Sequence, residues 1–167
     1  MKPEFPPGLR PIGAPQFARA HDLAAKSPRG RAILRYHEHS DLLQRMLNAL
    51  TRDTYVPVHR HADPDKVEVF MALEGRAAVC RFDDAGALEQ VSVISADGPL
   101  RGVEIPPRTW HTVVCLSETA LLFELIEGPY SATTHKRQAP FCPNEGSAEA
   151  AGWLAALRER VLARERV

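Results

Sequence analysis

Pro57-Val58-His59-Arg60-His61 is the stretch on which the reading of this chain turns, and Pro106-Pro107-Arg108-Thr109-Trp110-His111 answers it further on. In a strand, side chains alternate across the sheet, so His59 and His61 point to one face and can hold one metal ion. Glu68 follows near the start of the apolar run Val67 to Leu73, which closes at Glu74-Gly75, and His111 opens a second such run. Three imidazoles and a carboxylate form a mixed nitrogen and oxygen set. That set suits a divalent transition metal (iron, manganese, nickel or zinc, one per chain) better than calcium or magnesium.

Working outward, short β-rich segments dominate the middle of the chain. Ala32 to Tyr36 and Gln44 to Ala49 read as early strands around the polar turn His37 to Asp41, and Tyr55 to His61 and Lys66 to Leu73 flank Ala62-Asp63-Pro64-Asp65. Arg76 to Phe82 and Leu88 to Ile94 flank the hairpin signal Asp83-Asp84-Ala85-Gly86. Val103-Glu104-Ile105 leads into a double proline whose fixed φ angles aim His111, with Trp110 pointing the opposite way. Thr112 to Leu116 and Ala120 to Glu127 complete the set, and after Gly128-Pro129-Tyr130 the pattern turns irregular through Asn144. Many short strands joined by Gly, Pro and Asp turns predict an all-β, double-sheet jelly roll that encloses a ligand cavity.

The two ends differ from this middle. Prolines at 3, 6, 7, 11 and 15 favour an extended arm, which lies over its own barrel or a neighbouring subunit, or forms a disordered tail. Pro15 to Lys26 reads as a short helix with Phe17, Ala20, Leu23 and Ala24 on one face. Ser147 caps a second helix striped by Trp153, Leu157 and Val161, joined by Leu154 and Leu162; its stripe packs on the outside of the barrel or in a dimer contact. The expected organisation is one domain: arm and helix over 1–30, barrel over 31–130 and extension with amphipathic helix over 131–167.

With 167 residues and 44% hydrophobic content, the chain is long enough for one core and short for two. Lys+Arg and Asp+Glu each number 21, so no global basic field argues for nucleic acid or an anionic membrane. Neither an apolar leader nor a run of about 18 apolar residues is present, which predicts a cytoplasmic protein without a membrane partner. Cys80, Cys115 and Cys142 lack paired zinc spacing and read as reduced thiols.

Several polar positions carry a choice that parity alone leaves open. Gln44, Met46 and Asn48 share one face of their strand and Arg45 and Leu47 the other, and one of these sets faces the interior. Lys66, Glu68 and Phe70 share a parity, which puts Lys66 near the cavity mouth, where it either meets an anionic group or is solvated. Glu124 is a buried pocket acid or an outward residue; buried and outside the metal set, it has a raised pKa and serves as a general acid or base. His37 and His39 have strand spacing but no third ligand follows, so a loop or dimer edge explains them better than a second metal site.

The block His59-x-His61, Glu68 and Gly75 resembles the first cupin motif with a slightly long spacer, and Pro106-x-Arg108-x-x-His111 resembles the second, with Arg108 where glycine is usual. More narrowly, Ser27-Pro28-Arg29, His37, Asp41, Gln44-Arg45, Val103 to Pro107, Trp110-His111-Thr112 and Glu127-Gly128-Pro129-Tyr130 are similar to the WbuC-type cupin metalloproteins. The resemblance implies a single cupin barrel with a metal, in the setting of bacterial surface-polysaccharide genes. It implies no defined reaction.

The expected function is therefore a metal-dependent enzyme, dioxygenase or isomerase-like, acting on a small anionic or sugar-derived ligand. Glu124 and Gln44 are the catalytic candidates, and Lys66, Arg45 and Phe70 the substrate-binding candidates. The alternative is a non-catalytic binding or sensing module, and a homodimer is expected because small open sandwiches commonly cover their edges by pairing.

Overall fold

The computed structural model describes residues 8–165. Elements run in the order α1 (Ala14–Lys26), β1 (Arg31–Arg35), β2 (Leu43–Thr51), β3 (His59–Arg60), β4 (Glu68–Glu74) and β5 (Arg76–Phe82). They continue through β6 (Leu88–Ser95), β7 (Gly102–Ile105), β8 (Trp110–Cys115), β9 (Thr119–Glu127), β10 (Arg137–Gln138) and α2 (Ala150–Glu165). One sheet has the order β1-β2-β9-β4-β7 and the other β10-β3-β8-β5-β6, and every pairing is antiparallel. This is the double-sheet cupin barrel, all-β apart from its two helices.

Alternation along each strand sorts apolar residues into three clusters. Leu50, Phe70, Ala72 and Leu122 of one sheet meet Ala77, Val79, Ile94 and Val113 of the other between the sheets. Leu34, Leu47, Ala49 and Leu121 face outward from the first sheet and are covered by Ala20 and Ala24 of α1. Val58, Ala78, Cys80, Trp110 and Val114 face outward from the second sheet and are covered by Leu154, Leu157 and Val161 of α2. Because both faces of β8 are covered, all six of its residues are buried.

The stripe of α2 thus packs on the outside of the barrel, with Trp153 edge-on to Tyr55 at 5.7 Å. The start of this helix corrects the capping expectation. Ser147 lies a turn ahead, its carbonyl accepting the Ala150 N–H at 3.3 Å, and the helix proper begins at Ala150. The strand expected over Tyr55 to His61 is also shorter, with only His59 and Arg60 in the ladder. Pro57 has no N–H to give it, and the Val56 and Val58 carbonyls instead take the Thr112 hydroxyl at 2.6 Å and the Ala139 N–H at 2.8 Å. β10, in the stretch read as irregular, pairs Arg137 with Arg60 and Gln138 with His59.

Most of the proline-rich arm, residues 1–7, lies outside the described residues. Its last part lies on the chain's own barrel: Arg10 donates to the Tyr36 carbonyl at 2.6 Å, and the Tyr36 hydroxyl donates to the Pro11 carbonyl at 2.8 Å. Among the described residues, no helix is long and apolar enough to cross a membrane.

The fold needs α2 on the second sheet. Truncating Leu157, 2% exposed, to alanine leaves a cavity under the helix and is expected to cost about 2–5 kcal/mol in urea unfolding. A loss below that of an average surface substitution would mean that the helix does not stay on the sheet.

Candidate metal centre and cavity

His59 sits on β3, His61 just after it, Glu68 on β4 and His111 at the start of β8. Facing pairs bring them together: His59 is opposite His111 across the second sheet, and Glu68 looks across from the first. Their ligand atoms all lie within 4.8 Å of one another, and all four residues are buried. The six residues between His61 and Glu68 do not rotate the carboxylate away, since Glu68 Oε2 lies 3.2 Å from His61 Nε2 and 2.9 Å from His111 Nε2.

Each imidazole is oriented by a backbone carbonyl. Nδ1 of His59 faces the Pro57 carbonyl at 2.9 Å, that of His61 the His135 carbonyl at 2.6 Å and that of His111 the Thr109 carbonyl at 2.9 Å. A carbonyl oxygen only accepts, so each Nδ1 carries the hydrogen and each Nε2 is left with its lone pair. Those lone pairs converge on an acid that is itself an acceptor. Burial draws His59 well below the ordinary histidine value, with the neighbouring His111 adding to it. His111 Nε2, for all its closeness to Glu68, is buried without a hydrogen-bond partner.

Converging lone pairs beside a carboxylate, with no donor of their own, call for a cation. The donor chemistry is that of a transition-metal site, and the carbonyl-anchored rings are the usual support for one. All four expected ligands are brought together.

The second motif reaches this geometry through Arg108, which stands at φ +64, the left-handed region where glycine is favoured. Its N–H donates to the His61 carbonyl at 2.9 Å, which ties the two motifs. Its guanidinium is held by Asp63 and Asp65, each at 2.8 Å.

The metal group forms the floor of a cavity of about 380 Å³, lined also by Phe70, Asn48, Glu124, Tyr130, His135 and the cations Arg29, Arg31 and Lys136. Glu124 faces inward, 9% exposed, and Asn48 Nδ2 donates to its Oε2 at 2.8 Å. Burial and the nearby charge of Glu68 push the Glu124 carboxyl up to about 8, so it keeps its proton at neutral pH.

The other expected site residues lie elsewhere. Gln44 is interior in parity but beyond the cavity, where its amide donates to the carbonyls of Asp41 at 2.7 Å, Glu38 at 3.3 Å and His39 at 3.4 Å. Arg45 pairs with Asp41 at 2.5 Å and lines a separate hollow with Leu9 and Tyr36. Lys66 is buried, and its ammonium donates to the Glu127 and Pro129 carbonyls at 2.7 and 2.8 Å.

These residues form a latch behind the cavity wall. Gly128 fits against it so tightly that a Cβ would come 2.0 Å from the Asp41 carbonyl oxygen. The Tyr130 N–H donates to the His39 carbonyl at 2.8 Å. Ring contacts then run from His39 to Tyr130 at 4.7 Å, to His135 at 4.9 Å and to His61 at 5.1 Å. The His37 ring, by contrast, is spent on the Arg45 backbone, accepting its N–H at 2.9 Å.

His135, Lys136, Arg29 and Arg31 are cavity residues that spacing does not reveal. His135 and Lys136 fall in the irregular stretch, and the two arginines lie at the start of an edge strand, far in sequence from either histidine block. The adjacency of Ser27-Pro28-Arg29 to β1 is the one signal that points there.

A family profile described as a domain of unknown function (DUF6016) matches residues 12–94. No curated protein matches the sequence. Among solved structures, the chain is similar to the capsular polysaccharide assembling protein CapF from Staphylococcus aureus, with 17% identity over 67% of this chain and 32% of that one, at a TM-score of 0.56. A CapF structure with the inhibitor 3-isopropenyl-tropolone is similar at 18% identity, 64% and 31% coverage and a TM-score of 0.52. An oxalate oxidase in complex with the substrate analogue glycolate is similar at 15% identity, 83% and 75% coverage and a TM-score of 0.52. The chain spans about a third of the length of the CapF chains. At these identities the likeness is one of fold.

If the four residues hold the metal together, protein purified without a metal-affinity tag carries it near one per chain, and His59→Ala and His111→Ala each reduce it to background while remaining folded. Elemental analysis with circular dichroism checks this. Full metal content in either variant would remove that histidine from the set.

Proposed function

We propose that this chain is a metal-dependent enzyme acting on a small anionic or sugar-derived molecule, in the bacterial surface-polysaccharide setting that the WbuC-type resemblance implies. The observation that carries the catalytic part is Glu124: a carboxyl buried in the same cavity as the metal group, its pKa pushed upward by that burial, and outside the set of four ligand residues. A structural site has no need of such an acid, whereas a proton-transfer reaction at a bound substrate does.

The metal, when bound, supplies Lewis-acid polarisation of a substrate oxygen, a more acidic bound water or, as iron, redox chemistry. The chain supplies the rest. Glu124 gives a proton from its carboxyl to the substrate and takes one back, with Asn48 holding its Oε2. Phe70, Val56 and Val113 keep one wall apolar, which limits water around the acid. The cavity volume falls within the range of small-molecule sites. Gln44, Arg45 and Lys66 contribute indirectly, by holding the latch that carries Tyr130 to the cavity wall.

The test is turnover by metal-loaded protein on a panel of sugar acids and hydroxy acids, with oxygen consumption followed in parallel. Glu124→Gln is expected to lower kcat by roughly 10²-fold or more with metal content unchanged. An unchanged kcat would remove Glu124 from the chemistry. Binding without any turnover would instead favour the sensing module.

A further inference from the structure

The cavity carries a charge pattern that the metal group does not use. Arg29 and Arg31 share one acid, Glu145: Arg29 meets both its oxygens at 2.8 Å, and Arg31 Nη1 reaches Oε1 at 2.7 Å. Arg31 is also fixed by the Tyr55 carbonyl at 2.5 Å. Lys136, the third cation of the lining, has neither an ion pair nor a hydrogen bond among the described residues. Of the three cations in the lining, two therefore share the single carboxylate Glu145 and the third has no acid paired with it. Deeper in, the Glu68 carboxylate belongs to the metal group, where a divalent ion would outweigh it.

The three cations act on one another. Desolvation beside the cavity and then the charges of Arg31 and Arg29 draw the Lys136 ammonium below its ordinary value, against the pull of Glu145. Like charges gathered around a concave, partly desolvated site are costly unless a counter-ion joins them. The cavity also holds two buried polar atoms without partners, Asn48 Oδ1 and His135 Nδ1. Leaving such atoms unpaired is expensive, and a ligand hydroxyl satisfies either.

We propose that the cavity binds a small hydroxylated anion, its carboxylate or phosphate seated between Lys136 and Arg31 and its hydroxyls meeting Asn48 Oδ1 and His135 Nδ1. This rests on the reading above that the cavity is the substrate site, and it assigns the anion's partner to Lys136 rather than to the internally bonded Lys66. Carboxylate and phosphate share the chemistry the cations recognise.

Three ligands on one carbon scaffold test it: D-glycerate, glycerol 3-phosphate and uncharged glycerol, titrated calorimetrically into metal-loaded full-length protein. At least one of the two anions is expected to bind tenfold or more tightly than glycerol, and which of them leads distinguishes carboxylate from phosphate. Lys136→Met, which breaks no internal contact, is expected to weaken that anion at least tenfold while leaving metal content unchanged. Anions binding no better than glycerol, or an affinity untouched by Lys136→Met, would overturn the proposal. Metal retained without anion preference rejects this subsite and leaves the metal reading standing; anion preference in protein that holds no metal does the reverse.

Discussion

Three short hydrogen bonds to backbone carbonyls organise this molecule. Each imidazole of the metal group gives its Nδ1 hydrogen to a carbonyl, two of them only two residues back in the chain. Those local bonds explain why prolines stand where they do. Pro57 supplies the acceptor for His59, and the double proline before Arg108 sets the turn whose Thr109 carbonyl meets His111. The third bond is long-range: His61 is oriented by His135, 74 residues away, so the cavity wall and the metal floor are fixed together.

Behind that wall, His37, Asp41, Gln44-Arg45 and Glu127-Gly128-Pro129, part of the narrower resemblance, gather into the latch, while Arg29, His111 and Tyr130 line the cavity. Gln44, Asp41 and Arg45 close the turn over 38–41, Gly128 packs against it, and Lys66 ties down the chain on either side of Gly128. A run of tilted ring contacts connects this turn, from His39 through Tyr130 and His135, to His61. A sequence block can thus be tied to a site without touching its ligand.

This bears on what could be read beforehand. The barrel and its metal group were legible because period-two alternation fixes which residues face inward, and the proline and glycine turns fix where strands end. Parity suggested a place for Lys66 at the cavity mouth yet said nothing of its ammonium, which a four-carbon stem carries to the Glu127 and Pro129 carbonyls instead. Parity left Glu124 open, and only its sheet partners, Met46 on one side and Phe70 on the other, turn it inward, within hydrogen-bond reach of Asn48. His135 and Lys136 were out of reach because the stretch holding them has no period, and its two ladder residues, Arg137 and Gln138, are too few to show one. Arg31 looked like an ordinary strand start. Its importance comes from Glu145, which the fold brings alongside from far down the chain.

The three carbonyl-oriented rings are arranged to bind one ion through Nε2. X-ray absorption at the edge of whichever metal co-purifies measures this directly, because imidazoles leave a distinctive multiple-scattering signature. We predict three imidazoles and an oxygen in the first shell, with one imidazole lost in His61→Ala. A shell of oxygen alone, or one unchanged by that substitution, would contradict the central claim and leave the histidine group without its metal.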